Sequence, residues 1–236
     1  MNSLIGKKYE KRNLLPYIAF TKVTYSNIHS HSLLESIIFS MSQVAASQRR
    51  IHLYLEANPN PNSLKFVANI MLVPEGDSYD FPDVESAHNA PLAQELFGFP
   101  EVKRVFYASN FVTVTKSDEV DWLEIQDTLK QHIQEYLEAE KPLLINKAWE
   151  QGNAVDENDS ETVKKIKGIL DEYIRPAVEQ DGGAISFHSF EEGVVKVMLQ
   201  GSCSGCPSST VTLKAGIENL LKTMLPEVKE VEAEGV

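Results

Sequence analysis

Apolar positions along the chain recur with two different periods, and the switches between them lay out the elements. Ile51-His52-Leu53-Tyr54-Leu55 alternates with period two and predicts a strand. Glu56 to Ser63 carries Pro59 and Pro61, which bar a central strand and mark a turn-rich connection. Leu64-Lys65-Phe66-Val67 resumes a strand, with Ile70 to Val73 read as its continuation past Asn69. Pro74-Glu75-Gly76-Asp77 turns the chain, and Asp83 to Pro91 reads as irregular. Leu92 to Phe97 reads as a short helix closed by Gly98. Val102–Tyr107 and Phe111–Thr115 then predict a hairpin across Ala108-Ser109-Asn110. The period changes after Asp121, an N-cap. Trp122, Ile125, Leu129, Ile133 and Tyr136 or Leu137 share one face of a long helix, with charges opposite. Leu143-Leu144-Ile145 is a candidate last strand.

A second cycle follows a polar, acidic stretch at Gln151 to Asp159, which reads as a linker. Ser160 caps a helix whose stripe is Val163, Ile166, Leu170, Tyr173, Ile174 and Ala177. Asp181-Gly182-Gly183 is a tight turn. Ala184–Phe190 and Val194–Leu199 predict a hairpin across Glu191-Glu192-Gly193. Val211, Leu213, Ile217, Leu220, Leu221 and Met224 trace another helix, which Pro226 stops, and Val228 to Ala233 supplies a last strand. The order αββαβ predicts a compact α+β unit. The chain thus reads as two small α+β domains, 51–145 and 160–236, joined by an acidic linker at 146–159. Residues 1–50 precede them as a poorly ordered extension without a periodic apolar face.

Composition narrows the function classes. The chain has 236 residues, enough for one or two domains with real cores, and its 42% apolar content is ordinary for a soluble protein. The net charge of −12, without a visible basic face, argues against nucleic acid as a partner. No apolar run approaches the roughly 20 residues of a membrane span. Residues 1–40 carry five basic and two acidic side chains, leaving −15 for the remainder. Such a basic, Ser-rich start fits a mitochondrial transit peptide loosely, although arginine is scarce. The plainer expectation is a disordered tail, or codons upstream of a start at Met41, in a bacterial cytoplasmic protein. The mitochondrial matrix is the alternative.

The chemistry centres on Gly201-Ser202-Cys203-Ser204-Gly205-Cys206-Pro207-Ser208, which holds the only two cysteines of the chain. The pair lies on a strand-to-helix loop, at the positive end of a helix dipole. With Pro207 as the first helical residue, Cys206 takes the N-cap, where free amides should lower its thiol pKa. Three uses of such a pair compete. A structural disulfide would close too short a loop to restrain the unfolded chain much. A dithiol–disulfide exchange site is the thioredoxin arrangement, which is expected on a first βα unit rather than late in its domain. Half of a metal or cluster site is the third, because zinc and iron–sulfur sites want about four ligands and a two-fold dimer would supply two pairs. Zinc in the same dimeric site stays open on ligand type. His52, His88 and His132 do not have ligand spacing, and paired carboxylates, a nucleophile–base pair and a phosphate loop are absent from the first domain. Those catalytic constellations are therefore not expected in the first domain.

Two stretches carry a resemblance. Gly201 to Ser209, with Thr212-Leu213-Lys214 downstream and Asp181-Gly182-Gly183 upstream, resembles the C-terminal domain of NifU-like (Nfu) iron–sulfur proteins. Asn58-Pro59-Asn60-Pro61-Asn62-Ser63-Leu64-Lys65-Phe66 is similar to the signature of the Nfu N-terminal domain, as are Phe111 to Lys116 and Trp122 to its later part. The matches cover about residues 51 to 236. The resemblance implies a scaffold or carrier, not an enzyme, that holds a labile [4Fe–4S] cluster across a homodimer through Cys203 and Cys206. It implies an upstream cluster donor and apo iron–sulfur proteins as acceptors.

Overall fold

A computed structural model describes residues 50–145, 156, 158–205 and 207–235. The first module is a five-stranded antiparallel sheet, made of β1 (Leu53–Ala57), β2 (Ser63–Ala68), β3 (Ser78–Phe81), β4 (Val102–Ala108) and β5 (Phe111–Lys116). Their order in the sheet is β1-β2-β5-β4-β3. Helices α1 (Pro91–Phe97) and α2 (Trp122–Glu138) belong to the same module. Asp121 caps α2 by accepting from the Leu123 N–H, and Leu129, Ile133, Tyr136 and Leu137 form its buried side. Phe66, Val105, Tyr107, Val112 and Val114 complete that core from the sheet. β2 is buried along its whole length, so both faces of the sheet are covered at this strand.

The second module stacks helices on a three-stranded sheet ordered β6-β7-β8. It comprises α3 (Glu161–Ile169), α4 (Arg175–Gln180), β6 (Gly183–Glu191), β7 (Val194–Gly201), α5 (Pro207–Met224) and β8 (Glu230–Gly235). β6 and β7 form the expected hairpin, and β8 runs parallel to β7 from Val194↔Glu230 to Leu199↔Gly235. A parallel neighbour requires a crossover, and α5 is that crossover. The two modules are α+β, and all described residues fall in one compact unit.

Four expectations need correction. Ile70 to Val73 does not continue β2. The Leu72 and Val73 amides donate to Ser109 O at 2.7 and 3.1 Å, folding this segment over the β4–β5 hairpin tip. Ser78–Phe81 is a strand that the pattern did not reveal. Leu143–Ile145 makes no ladder, but Leu143 and Leu144 pack on the core and Ile145 N donates to Asn89 O at 2.8 Å. The helix after Ser160 is not continuous either. A π-helical turn at Leu170–Ile174, in which the Arg175 amide donates to Leu170 O, separates α3 from α4. Pro176 has no amide to bond the carbonyl four residues back, and a wider turn just before it absorbs the mismatch. The extension before Arg50 and most of the acidic linker lie outside the described residues.

Candidate functional site

β7 ends on Gly201, which takes a left-handed φ of +64°. A Cβ there would stand 2.8 Å from Gly182 O and 2.8 Å from the Phe106 ring, so only glycine lets the loop leave the strand at this point. The loop is stitched to the Asp181-Gly182-Gly183 turn. Ser202 N donates to Gly182 O at 3.2 Å, the Ser202 hydroxyl donates to Asp181 O, and Ser204 N donates to Gly201 O at 3.2 Å. Gly183 yields its side-chain space to the thiol, since a Cβ on it would fall 2.5 Å from Gln200 O and 2.7 Å from Cys203 Sγ. Cys203 is thereby held 2% exposed in the core of the second module. It borders a cleft of about 420 Å³ whose walls include Asp181, Leu213 and Ile217, and also Pro59 from the first module.

Cys206 lies outside the described residues, and α5 begins at Pro207 as the sequence predicts. Gly205 has a φ of +75°, with no described atom within 4 Å of where a Cβ would be. Of the two cysteines named from sequence, the structure therefore places Cys203. Among the described residues there is no cluster of three His, Cys, Asp or Glu side chains able to hold a metal ion. No helix among them is long and apolar enough to cross a membrane.

The first module supplies the other wall. Its Asn58–Asn62 loop is built as a ladder of Asx turns. Asn60 N donates to Asn58 Oδ1 at 3.1 Å and Asn62 N to Asn60 Oδ1 at 3.0 Å. With its oxygen used inside the loop, the Asn60 carboxamide turns its Nδ2 outward to Ser202 O at 2.9 Å, the carbonyl directly before Cys203. The Thr113 hydroxyl donates to Gly182 O at 2.8 Å, and Arg175 Nη1 to Gly76 O at 3.0 Å. A small apolar cluster of Val67, Phe106, Ala108, Phe111 and Ala184 spans the two modules.

Carboxylates along this seam are destabilised as anions. Burial pushes the Asp80 carboxyl up to about 6, against the pull of Arg104, whose Nη1 lies 2.5 Å from Asp80 Oδ2, and of the Gly201 amide facing it. Burial also raises Glu179 and Asp181, each partly offset by nearby cations, Arg175 and Lys65 for Glu179 and Lys65 for Asp181. In the sequence Asn58–Ser63 and Asp181–Gly183 look like turns, with no sign that either meets the cysteine loop. Asparagine at every second position was a visible sign of a stiff loop, but nothing in the pattern named its partner.

Two family profiles match the chain, "NifU-like domain" over residues 166–232 and "Scaffold protein Nfu/NifU N terminal" over residues 53–140. A curated relative from Drosophila yakuba, "NFU1 iron-sulfur cluster scaffold homolog, mitochondrial", is 40% identical over 208 residues, covering 88% of this chain and 72% of its own. "NifU-like protein 4, mitochondrial" of Arabidopsis thaliana is 43% identical, covering 86% and 73%. Among solved structures, a NifU-like protein from Saccharomyces cerevisiae aligns with a TM-score of 0.39 and 22% identity, covering 53% of this chain and all of the other. With a cysteine loop in a NifU-like module and an asparagine–proline loop in an Nfu N-terminal module, the chain belongs to the Nfu family of NifU-like proteins.

Proposed function

We propose that this protein is a scaffold and carrier for iron–sulfur clusters, with a labile [4Fe–4S] cluster as cargo and no enzymatic turnover. The reading rests on one observation above the others: a Cys-x-x-Cys loop on a glycine-built strand-to-helix connection, with its first thiol bordering a cleft. Cys203 and Cys206 are the ligands in this reading. A four-thiolate cluster needs two such pairs, so a homodimer completes the set. The NifU-like module, 160–236, holds the cluster, and the module at 51–145 holds none. Delivery goes by ligand exchange. A thiolate of an apo-acceptor bonds an iron, the displaced thiolate takes up a proton, and neither iron nor sulfur changes oxidation state. Relatives named as mitochondrial, together with the basic start of the chain, favour the mitochondrial matrix over a bacterial cytoplasm.

Anaerobic reconstitution with iron and sulfide tests this. The full chain should take up a cluster and pass it to an apo-acceptor in the presence of a chelator. Cys203→Ser and Cys206→Ser should each lose most of it, because each change removes two of four ligands from the dimer. Catalytic reduction of a disulfide substrate by iron-free monomer, with no reconstitution, would establish a dithiol oxidoreductase instead.

A further inference from the structure

The two modules are held to themselves far better than to each other. Among the described residues, the first buries 21 side chains in its own core and the second 14, whereas 5 bridge them. Much of the rest of the seam is polar, and three of its contacts meet in one place. Asn60 Nδ2 reaches Ser202 O, the Thr113 hydroxyl reaches Gly182 O, and Phe106 lies against Gly201. These three second-module residues form the base on which Cys203 stands. Interfaces of this kind separate before the modules unfold.

The seam also limits the thiol. Cys203 is 2% exposed, and the cleft beside it has Pro59 on its wall. An iron that is also bonded by a second chain has to meet this sulfur through the cleft, past the asparagine–proline loop that supplies part of its wall. We propose that the asparagine–proline loop is a clasp on the cysteine loop. In this proposal Asn60 is the positioning residue that holds Ser202, and Cys203 reaches a cluster only when the clasp lets go. The proposal rests on the reading of Cys203 as a cluster ligand, and it gives the first module a mechanical role in gating that ligand.

The clasp can be tested without any cluster. In a full-length Cys206→Ser chain, Cys203 is the sole thiol, and its rate of alkylation by a maleimide reports how often it is uncovered. Asn60→Asp keeps the oxygen that accepts from Asn62 N but sets a carboxylate against Ser202 O. Thr113→Val keeps the shape of β5 and loses one donor. Loss of a single buried neutral hydrogen bond should speed alkylation about fivefold in Thr113→Val. Replacing the donor by a charged acceptor should speed it at least about tenfold in Asn60→Asp. A dye pair with one label on each module should show wider separation in both variants, a change that local loosening of one loop would not produce. Should Asn60→Asp fail to fold, Thr113→Val decides alone. Alkylation within twofold of the parent and unchanged separation, in folded variants, would overturn the clasp. Faster alkylation in a protein that never binds a cluster would leave the clasp standing and remove the scaffold reading, so the two failures are distinct.

Discussion

Gly183→Ala probes the packing under the thiol. The glycine pairs with Gly201 at the end of the β6–β7 ladder, where a new methyl would sit 2.5 Å from Gln200 O and 2.7 Å from Cys203 Sγ. Ordinary contact begins near 3.4 Å, so the two neighbours must each retreat by about 0.7–0.9 Å. The sulfur can rotate, but Gln200 O belongs to a strand bonded on both sides and cannot. Overpacking of this kind costs about 1–3 kcal/mol, and a backbone obstacle places Gly183→Ala at about 2–3 kcal/mol. For a unit of this size that lowers Tm by about 5–10 °C. Calorimetry and urea titration would measure it, with maleimide kinetics showing whether Cys203 has been pushed out. Gly205→Ala is the contrasting case. Gly205 has a positive φ but open space around it, so only the backbone term of about 1 kcal/mol applies. If Gly183→Ala melts within a degree of the parent, or costs less than Gly205→Ala, the thiol is not seated as described.

Two further outcomes are expected. Asp80 has a folded pKa near 6 against about 3.8 unfolded, so its contribution is fully present below about pH 4 and is lost as pH rises through 6. Asp80→Asn should therefore flatten the stability profile between pH 4 and 6 by about 2–3 kcal/mol relative to the parent in paired urea titrations, and a parallel profile would contradict the buried charge. Gly168→Ala, in α3 with no atom within 4 Å of the new methyl, should raise stability by about 0.5–1 kcal/mol, and a lower Tm would refute the open helical site.

Elements whose periodicity is carried by several large side chains were legible in the sequence. The α2 stripe, the β4–β5 hairpin and the β6–β7 hairpin are where the pattern put them, because each has one face that must be buried. Ser78-Tyr79-Asp80-Phe81 was not legible, since four residues with a charge at their centre do not read as a strand until Arg104 pairs with Asp80. The π turn was hidden because apolar spacing around Leu170 tolerates an extra residue in the turn. Of the site, the cysteines and their glycines were legible from residue type alone. The grip of Asn60 on Ser202, 142 positions apart, was not, because no local pattern encodes which carbonyl a distant carboxamide will find.

The most direct test of the cluster-scaffold reading is the native mass of the anaerobically reconstituted full-length protein, read together with its iron and sulfide content. The expected result is a species of two chains carrying a mass increment of one Fe₄S₄ core, beside an apo-monomer, with the dimer absent from Cys203→Ser and Cys206→Ser. A cluster retained by a single chain, or a dimer that keeps its iron after both cysteines are replaced, would contradict it.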